Sequence, residues 1–301
     1  VIMGKWDNVS FDRWTPICPH TLPYRIYKSY YNDLMSLITS FESAKGYTYS
    51  HLKKDGADWT SKAYDFGLMQ EDRPRTVKEW VVNYEEFANW VRLSLLLASC
   101  SHLENYIAAI VKECIESDPG ILIGTPHVID GLIHKKQGVF LRKEEIESKV
   151  IACTKGDWQS RIGNLERLFG SLPTSLTSSV SDLEAIRKIR NDLAHAFGRD
   201  ISESQDYFRI QKSPIQRLAV GRFNKFRTLI NKIVQDLDAQ LNNNHVGNYE
   251  LVLHYHNIYP SISNLDRGYK MEELKKTLQI NQNTSCSKTQ CRGIVLYYES
   301  L

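Results

Sequence analysis

The chain has no apolar run of bilayer length. Its longest, around Leu95 to Cys100, is far short of the ~20 residues a spanning helix needs. No apolar segment precedes a small-residue cleavage site in the opening Val1-Ile2-Met3-Gly4-Lys5, so no secretory leader is expected. Cysteine is sparse: Cys18, Cys100, Cys114, Cys153, Cys286 and Cys291 are scattered, and two lie inside an apolar helical pattern. That usage excludes a disulfide scaffold and fits a reducing compartment. Proline is limited to 9 residues of 301, and no internal repeat or low-complexity tract is visible. Also missing are a phosphate-binding Gly-rich turn and a Ser-based nucleophile elbow. With 42% hydrophobic and 24% charged residues, the profile is that of a folded, soluble, cytoplasmic protein of about two domains. A chain of this length can build its core without metal or disulfide staples.

Net charge is only +3, but it is unevenly placed. Between Ser181 and Lys232 there are 11 Lys/Arg against 6 Asp/Glu, and from Arg209 to Lys232 seven basic residues and no acidic one. Such a block can track a phosphate backbone, and equally can be one solvated helix face. Arg209, Lys212, Arg217, Arg222 and Lys225 are the candidate RNA contacts.

Residues 1–80 read as a helical N-terminal extension. A helix opens at Thr21-Leu22-Pro23, where Pro is tolerated in the first turn. It carries Tyr27, Tyr30, Tyr31, Leu34, Leu37, Ile38 and Phe41 at helical spacing and is expected to end at Gly46. Asp55 to Pro74 looks like a linker. A long helix follows, to Ser117, with Trp90, Leu93, Leu96, Leu97, Cys100, Leu103, Ile107, Ile110, Val111 and Cys114 on one stripe. Short helices separated by Gly124, Gly131 and Gly138 come next. Asp157 caps a helix ending at Gly170, Ser181 is the expected N-cap of another, and Ser213-Pro214 opens the last long one, closed by Asn242-Asn243-Asn244. Residues 85–241 thus predict an up-and-down helical bundle. Tyr249 to Ile258 and Gly293 to Tyr298 alternate like strands, so 245–301 is expected to be a small mixed α/β appendage. The fold class is mostly α.

The helix opening at Ser181 holds the most chemistry. Leu183, Ile186, Ile189, Leu193 and Phe197 make its apolar side, while Glu184, Arg187, Asn191 and His195 run along the other, flanked by Arg190. Arginine is permanently charged and matches phosphate with its fork. Histidine exchanges a proton near neutral pH. Together they suffice to cleave RNA without a metal: His moves the proton of the 2′-hydroxyl or of the leaving oxygen, and Arg stabilises the charge that develops on phosphorus oxygens.

Arg190-Asn191-Asp192-Leu193-Ala194-His195 resembles the Arg-x4-6-His signature of the HEPN superfamily, with a polar residue directly after the Arg. Leu183 to Ile189 is similar to the lead-in of RiboL-PSP-type HEPN proteins, and Leu95 to Tyr106 to their first core helix. The likeness spans about half the chain. It implies a four- to five-helix bundle and a metal-independent endoribonuclease, without cofactor, acting in defence or as a toxin. It implies a homodimer whose two motif helices form one composite cleft, and products ending in 2′,3′-cyclic phosphate and 5′-hydroxyl. Arg190 and His195 match the catalytic pair, Asn191 the orienting polar residue, and Glu104 more loosely a supporting acid; Arg187 comes from the helical wheel alone. The Tyr that follows the His by two in nucleotidylated toxins is Phe197 here. An inhibitor or activating partner fits a nuclease of this kind. Some HEPN domains are non-catalytic and bind RNA or a protein partner, which is the alternative function.

Two other signals are set aside. His254, His256, Cys286 and Cys291 could make a zinc quartet, but the cysteine spacing is loose, and residues of a half-exposed sheet explain them better; no metal site is expected. The aromatics of the N-terminal extension sit at helical spacing and read as core, not as a base-stacking platform.

Overall fold

The computed structural model describes Trp6 and residues 9–55, 77–196 and 214–301. Every regular element among them is helical, and none is a strand. The α-helices are α1 (Leu22–Asp55), α2 (Val77–Ser117), α3 (Gly131–Gln137), α4 (Lys143–Thr154), α5 (Trp158–Phe169), α6 (Thr174–Thr177), α7 (Val180–Ala196), α8 (Val220–Leu241), α9 (Tyr249–Ile262), α10 (Arg267–Gln282) and α11 (Lys288–Ser300). A 3₁₀ turn, Pro119–Ile123, follows α2, and a π-turn, Asn242–Val246, follows α8.

Local chemistry sets many of these boundaries. Asp157 accepts the backbone N–H of Ser160 at 2.8 Å and starts α5, whose Trp158, Ile162, Leu165 and Phe169 are buried at steps of three and four. Gly138 ends α3 in the left-handed region, at φ 69°. Ser287 and Gln290 form a reciprocal capping box at the head of α11.

Several expectations are corrected. Residues 245–301 are helical, not mixed α/β. In α9, Tyr249, Glu250, Leu251, Val252, His254 and Tyr255 are all buried. A helix buried on most sides loses the 3.6-residue contrast, and its apolar run passes for a strand. α11 repeats the case: Cys291, Gly293, Ile294, Val295 and Tyr298 are buried. Gly46 does not end α1, which continues to Asp55; a glycine within a helix costs only about 1 kcal/mol. α7 begins at Val180, so Ser181 lies inside it and is not its cap. α8 begins at Val220 instead of Pro214, and the asparagine run continues as the π-turn. The expected linker from residue 56 onward, Phe197 and Gly198 lie outside the described residues.

Between Glu79 and Ser117, α2 is long and apolar enough to cross a membrane. Its stripe of Leu93, Leu96, Leu103, Ile107, Ile110, Val111 and Cys114 is buried within the protein, which is the condition of a core helix.

Contacts divide the chain into two compact units, which are not consecutive blocks. One comprises residues 1–27, 104–180 and 232–301; the other comprises 28–103 and 181–231. In the second, α1 and α2 run antiparallel. Tyr30 stacks on His102 at 4.9 Å, Phe41 on Tyr84 at 6.2 Å, and Tyr49 meets Trp80 edge-on at 6.0 Å. The segment entering α8 is clamped by α2. Asn89 donates to the Gln216 carbonyl at 3.0 Å and accepts from Leu218 N–H at 2.8 Å, while Arg92 donates to the Leu218 carbonyl at 2.8 Å.

The first unit is organised around buried Arg13. Its guanidinium donates to the Val246 carbonyl and to Ser117 Oγ, both at 2.6 Å, and lies 3.5 Å from Asp130. In the same unit the carboxyls of Asp238, Glu250 and Glu113 lie close together, the first two buried and the third half-buried. Asp238 accepts from Thr21 Oγ1 at 2.5 Å and pairs with His20 at 3.1 Å. Glu250 accepts from Leu22 N–H and lies 3.6 Å from Arg25. Glu113 is hydrogen-bonded to Glu250, and its burial, reinforced by that neighbour, raises its pKa well above the ordinary carboxylate range. The fold therefore favours the protonated form of Glu113, which can donate to Glu250.

The folded protein binds that proton more tightly than the unfolded chain does. The stability it contributes is complete below the unfolded glutamate pKa and is lost as pH rises toward the raised value. Glu113→Gln, a neutral group of the same shape, is expected to raise the melting temperature relative to the parent at about pH 8 and to change it little at about pH 5. Thermal melts at the two pH values check this; a parent-like fall in the variant would place the proton elsewhere.

Candidate active site

The candidate site lies on α7, in the second unit. Leu183, Ile186, Ile189 and Leu193 are buried there, as their spacing requires. Burying that side leaves Glu184, Arg187, Arg190 and Asn191 half-buried on the flanks and His195 exposed in the last turn.

Arg190 and Asn191 are brought together, with Arg190 Nη1 donating to Asn191 Oδ1 at 3.1 Å. The amide thus steadies the guanidinium from the adjacent position. Arg187 pairs with Glu184 one turn earlier, Nε to Oε2 at 2.7 Å, so part of its donor fork is already engaged. His195 follows Arg190 by five residues, which on an α-helix is about 7.5 Å of rise and about 140° of rotation. The two side chains therefore leave the helix in different directions.

Glu104 is placed in the other unit. There it pairs with buried Arg161 at 3.2 Å, and Arg161 also donates to the Gly156 carbonyl at 3.1 Å and lies over the Trp158 ring at 4.8 Å. Glu104 thus has a structural partner of its own.

Of the basic candidates, Arg209 and Lys212 lie outside the described residues. Arg217 and Arg222 are exposed, and the Arg222 guanidinium rests over Phe226 at 5.1 Å. Lys225 reaches α7 and pairs with Asp182 at 2.8 Å. Arg227 turns inward and donates to the Tyr31 hydroxyl at 2.8 Å.

The four residues of the conceivable zinc quartet do not assemble. Because α9 is a helix, His254 and His256 lie about 200° apart on it and not on one side. His254 bonds the Thr277 hydroxyl at 2.9 Å and His256 the Tyr298 hydroxyl at 2.7 Å. Cys286 and Cys291 are free thiols, hydrogen-bonded to each other.

A cavity of about 610 Å³ opens in the first unit, lined by Ala108, Ala109, Phe140, Leu141, Ile146 and Val150 among others. It shares no residue with the α7 site. Two features had no counterpart in the sequence reading. The Asn89–Arg92 clamp was hidden because its amide and guanidinium bond backbone more than a hundred positions away. The other, a group of Asp118, His127 and His245, is spread too widely along the chain for any spacing rule to find.

No family model matches the chain, and no curated protein or solved structure is significantly similar to it.

Lys225 is 63% exposed and its partner Asp182 33%, so water screens their attraction. Lys225→Ala is expected to cost less than about 1 kcal/mol of stability. A urea denaturation midpoint checks this; a larger loss would show that the pair anchors α7.

Proposed function

We propose that this chain is a HEPN-type endoribonuclease, cytoplasmic and acting in defence or toxin-type RNA degradation. The observation that carries the reading is α7 itself: an Arg190-x4-His195 helix with one side in the core, a guanidinium steadied by the adjacent amide, and an exposed imidazole.

Arg190 and His195 point about 140° apart, so one copy of the helix does not aim both at a single phosphate. A second copy packed against it would set the Arg190 of each chain near the other's His195. The helix geometry thus supports a homodimeric, composite cleft. There His195 would take the 2′-hydroxyl proton. The 2′-oxygen would attack phosphorus, and the bond to the 5′-oxygen would break, that oxygen taking up a proton as it leaves. The products would be a 2′,3′-cyclic phosphate and a 5′-hydroxyl. Arg190 would stabilise the charge on the non-bridging oxygens. The 2′-hydroxyl is the nucleophile, so the step asks for no metal and no cofactor. Exposed Arg222 and Lys225 on α8, with Arg217 just before it, would supply phosphate contacts. Such an activity calls for an inhibitor that restrains it or an activating partner that releases it.

Purified protein in EDTA is expected to cut total cellular RNA, leaving cyclic-phosphate ends. Arg190→Ala and His195→Ala should each lower the rate at least about 100-fold. Undiminished cutting by His195→Ala would overturn the reading. RNA binding that weakens with salt and yields no product would favour the non-catalytic HEPN module instead.

A further inference from the structure

At the end of α2 the chain buries Asp118 completely. A carboxylate taken out of water needs strong partners, and this one has an unusual set. Its Oδ1 accepts the backbone N–H of His127 at 2.9 Å. Its Oδ2 lies 3.0 Å from His245 Nδ1 and 3.9 Å from His127 Nε2. The facing oxygen and two ring nitrogens all lie within 4.8 Å of one another.

Each histidine is held in place from outside the group. His127 has φ 65°, a left-handed backbone that a residue with a Cβ adopts only at a cost. Its N–H bond to Asp118 and the stacking of its ring on Trp14 at 4.2 Å hold it there. His245 belongs to the π-turn, a distortion common at functional sites. Its ring is buried beside Phe169 at 5.3 Å. A strained backbone on one ligand and a π-turn on the other converge on the same carboxylate oxygen.

We propose that Asp118, His127 and His245 bind a divalent first-row transition metal ion, with zinc the best fit. Two borderline imidazole nitrogens beside one carboxylate oxygen suit zinc, whereas magnesium and calcium call for oxygen alone. Around zinc, with bonds of about 2.0–2.2 Å, neighbouring ligand atoms stand about 3–3.5 Å apart. Oδ2 and His245 Nδ1 already have that separation. His127 is 43% exposed, so its ring can close the remaining distance of about 1 Å by giving up its contact with the Asn244 carbonyl. That carbonyl or a water fills the fourth position. On coordination each imidazole turns its lone pair to the metal and keeps its hydrogen on the other ring nitrogen. The Oδ1 bond from His127 N–H is the outer-shell contact that orients the carboxylate. The site belongs to the first unit and α7 to the second, so the proposal does not depend on ribonuclease activity.

The test uses the full chain, stripped with EDTA and exchanged into chelator-free buffer, then titrated with zinc chloride against a chromophoric chelator. One zinc per chain and a higher melting temperature are expected. A cobalt-loaded sample should show the visible absorption of a tetrahedral nitrogen–oxygen site. His127→Ala removes an exposed ring and should weaken binding at least about 10-fold; Asp118→Asn should do the same, and His254→Ala should not. Absence of stoichiometric zinc, or binding undiminished in His127→Ala, overturns the proposal. If Asp118→Asn fails to fold, His127→Ala decides alone.

Discussion

Within the first unit, most of the chain path around the end of α2 depends on one buried cation. Arg13 comes from an N-terminal segment with no helix of its own, yet it hydrogen-bonds Ser117 at the end of α2 and the Val246 carbonyl of the π-turn, and forms an ion pair with Asp130 at the head of α3. Trp14 and Tyr249 offer it ring faces at 4.4 and 5.4 Å. Three elements that could each drift are thereby referred to one planar fork, which arginine provides and lysine does not. The backbone around it follows suit: Asn248 N–H donates to the Arg13 carbonyl at 2.9 Å, and its side chain bonds the Asp12 and Thr15 carbonyls. Gly247 is the residue this approach requires. It has φ 55°, and a Cβ there would sit 2.5 Å from the Arg13 carbonyl oxygen.

The same burial that makes Arg13 effective makes the nearby acids expensive. Glu113, Asp238 and Glu250 lie close together, with Arg25 beside Glu250 and His20 beside Asp238. Protonation of Glu113 turns a repelling pair into a hydrogen-bonded one. That solution stabilises the unit only while the proton stays. Asp118 meets the same difficulty differently, by collecting a backbone N–H and two imidazole nitrogens.

Legibility in the sequence followed from how one-sided each helix is. α5 and α7 each bury one side and expose the other, so spacing alone located them. The cap at Asp157 was equally local, a carboxylate three residues from the N–H it accepts. α9 and α11 are wrapped by neighbours, and their apolar residues stopped marking a face; hence strands were expected where there are helices. Ser181 has the chemistry of an N-cap, but the helix begins one residue earlier, at Val180, and Glu184 is paired with Arg187, a competition that propensity does not register. The Arg190–His195 motif could be read because both residues and the amide between them occupy one helix. Asp118, His127 and His245 could not: only folding brings residues 118 and 245, 127 positions apart, to the same point.

That separation also determines what a metal could contribute there. An ion held by Asp118, His127 and His245 would join the end of α2, the loop before α3 and the π-turn, the same region that Arg13 gathers by hydrogen bonds. Unlike a disulfide, the ion would be released as the chain unfolds, so it would stabilise the folded state by its own binding free energy. The contribution would be rigidity and stability in the first unit, with no step in RNA cleavage routed through the ion. The chemistry proposed for α7 would rest instead on groups that need no cross-link: the Arg190 guanidinium, the Asn191 amide that steadies it, and the exposed His195 imidazole.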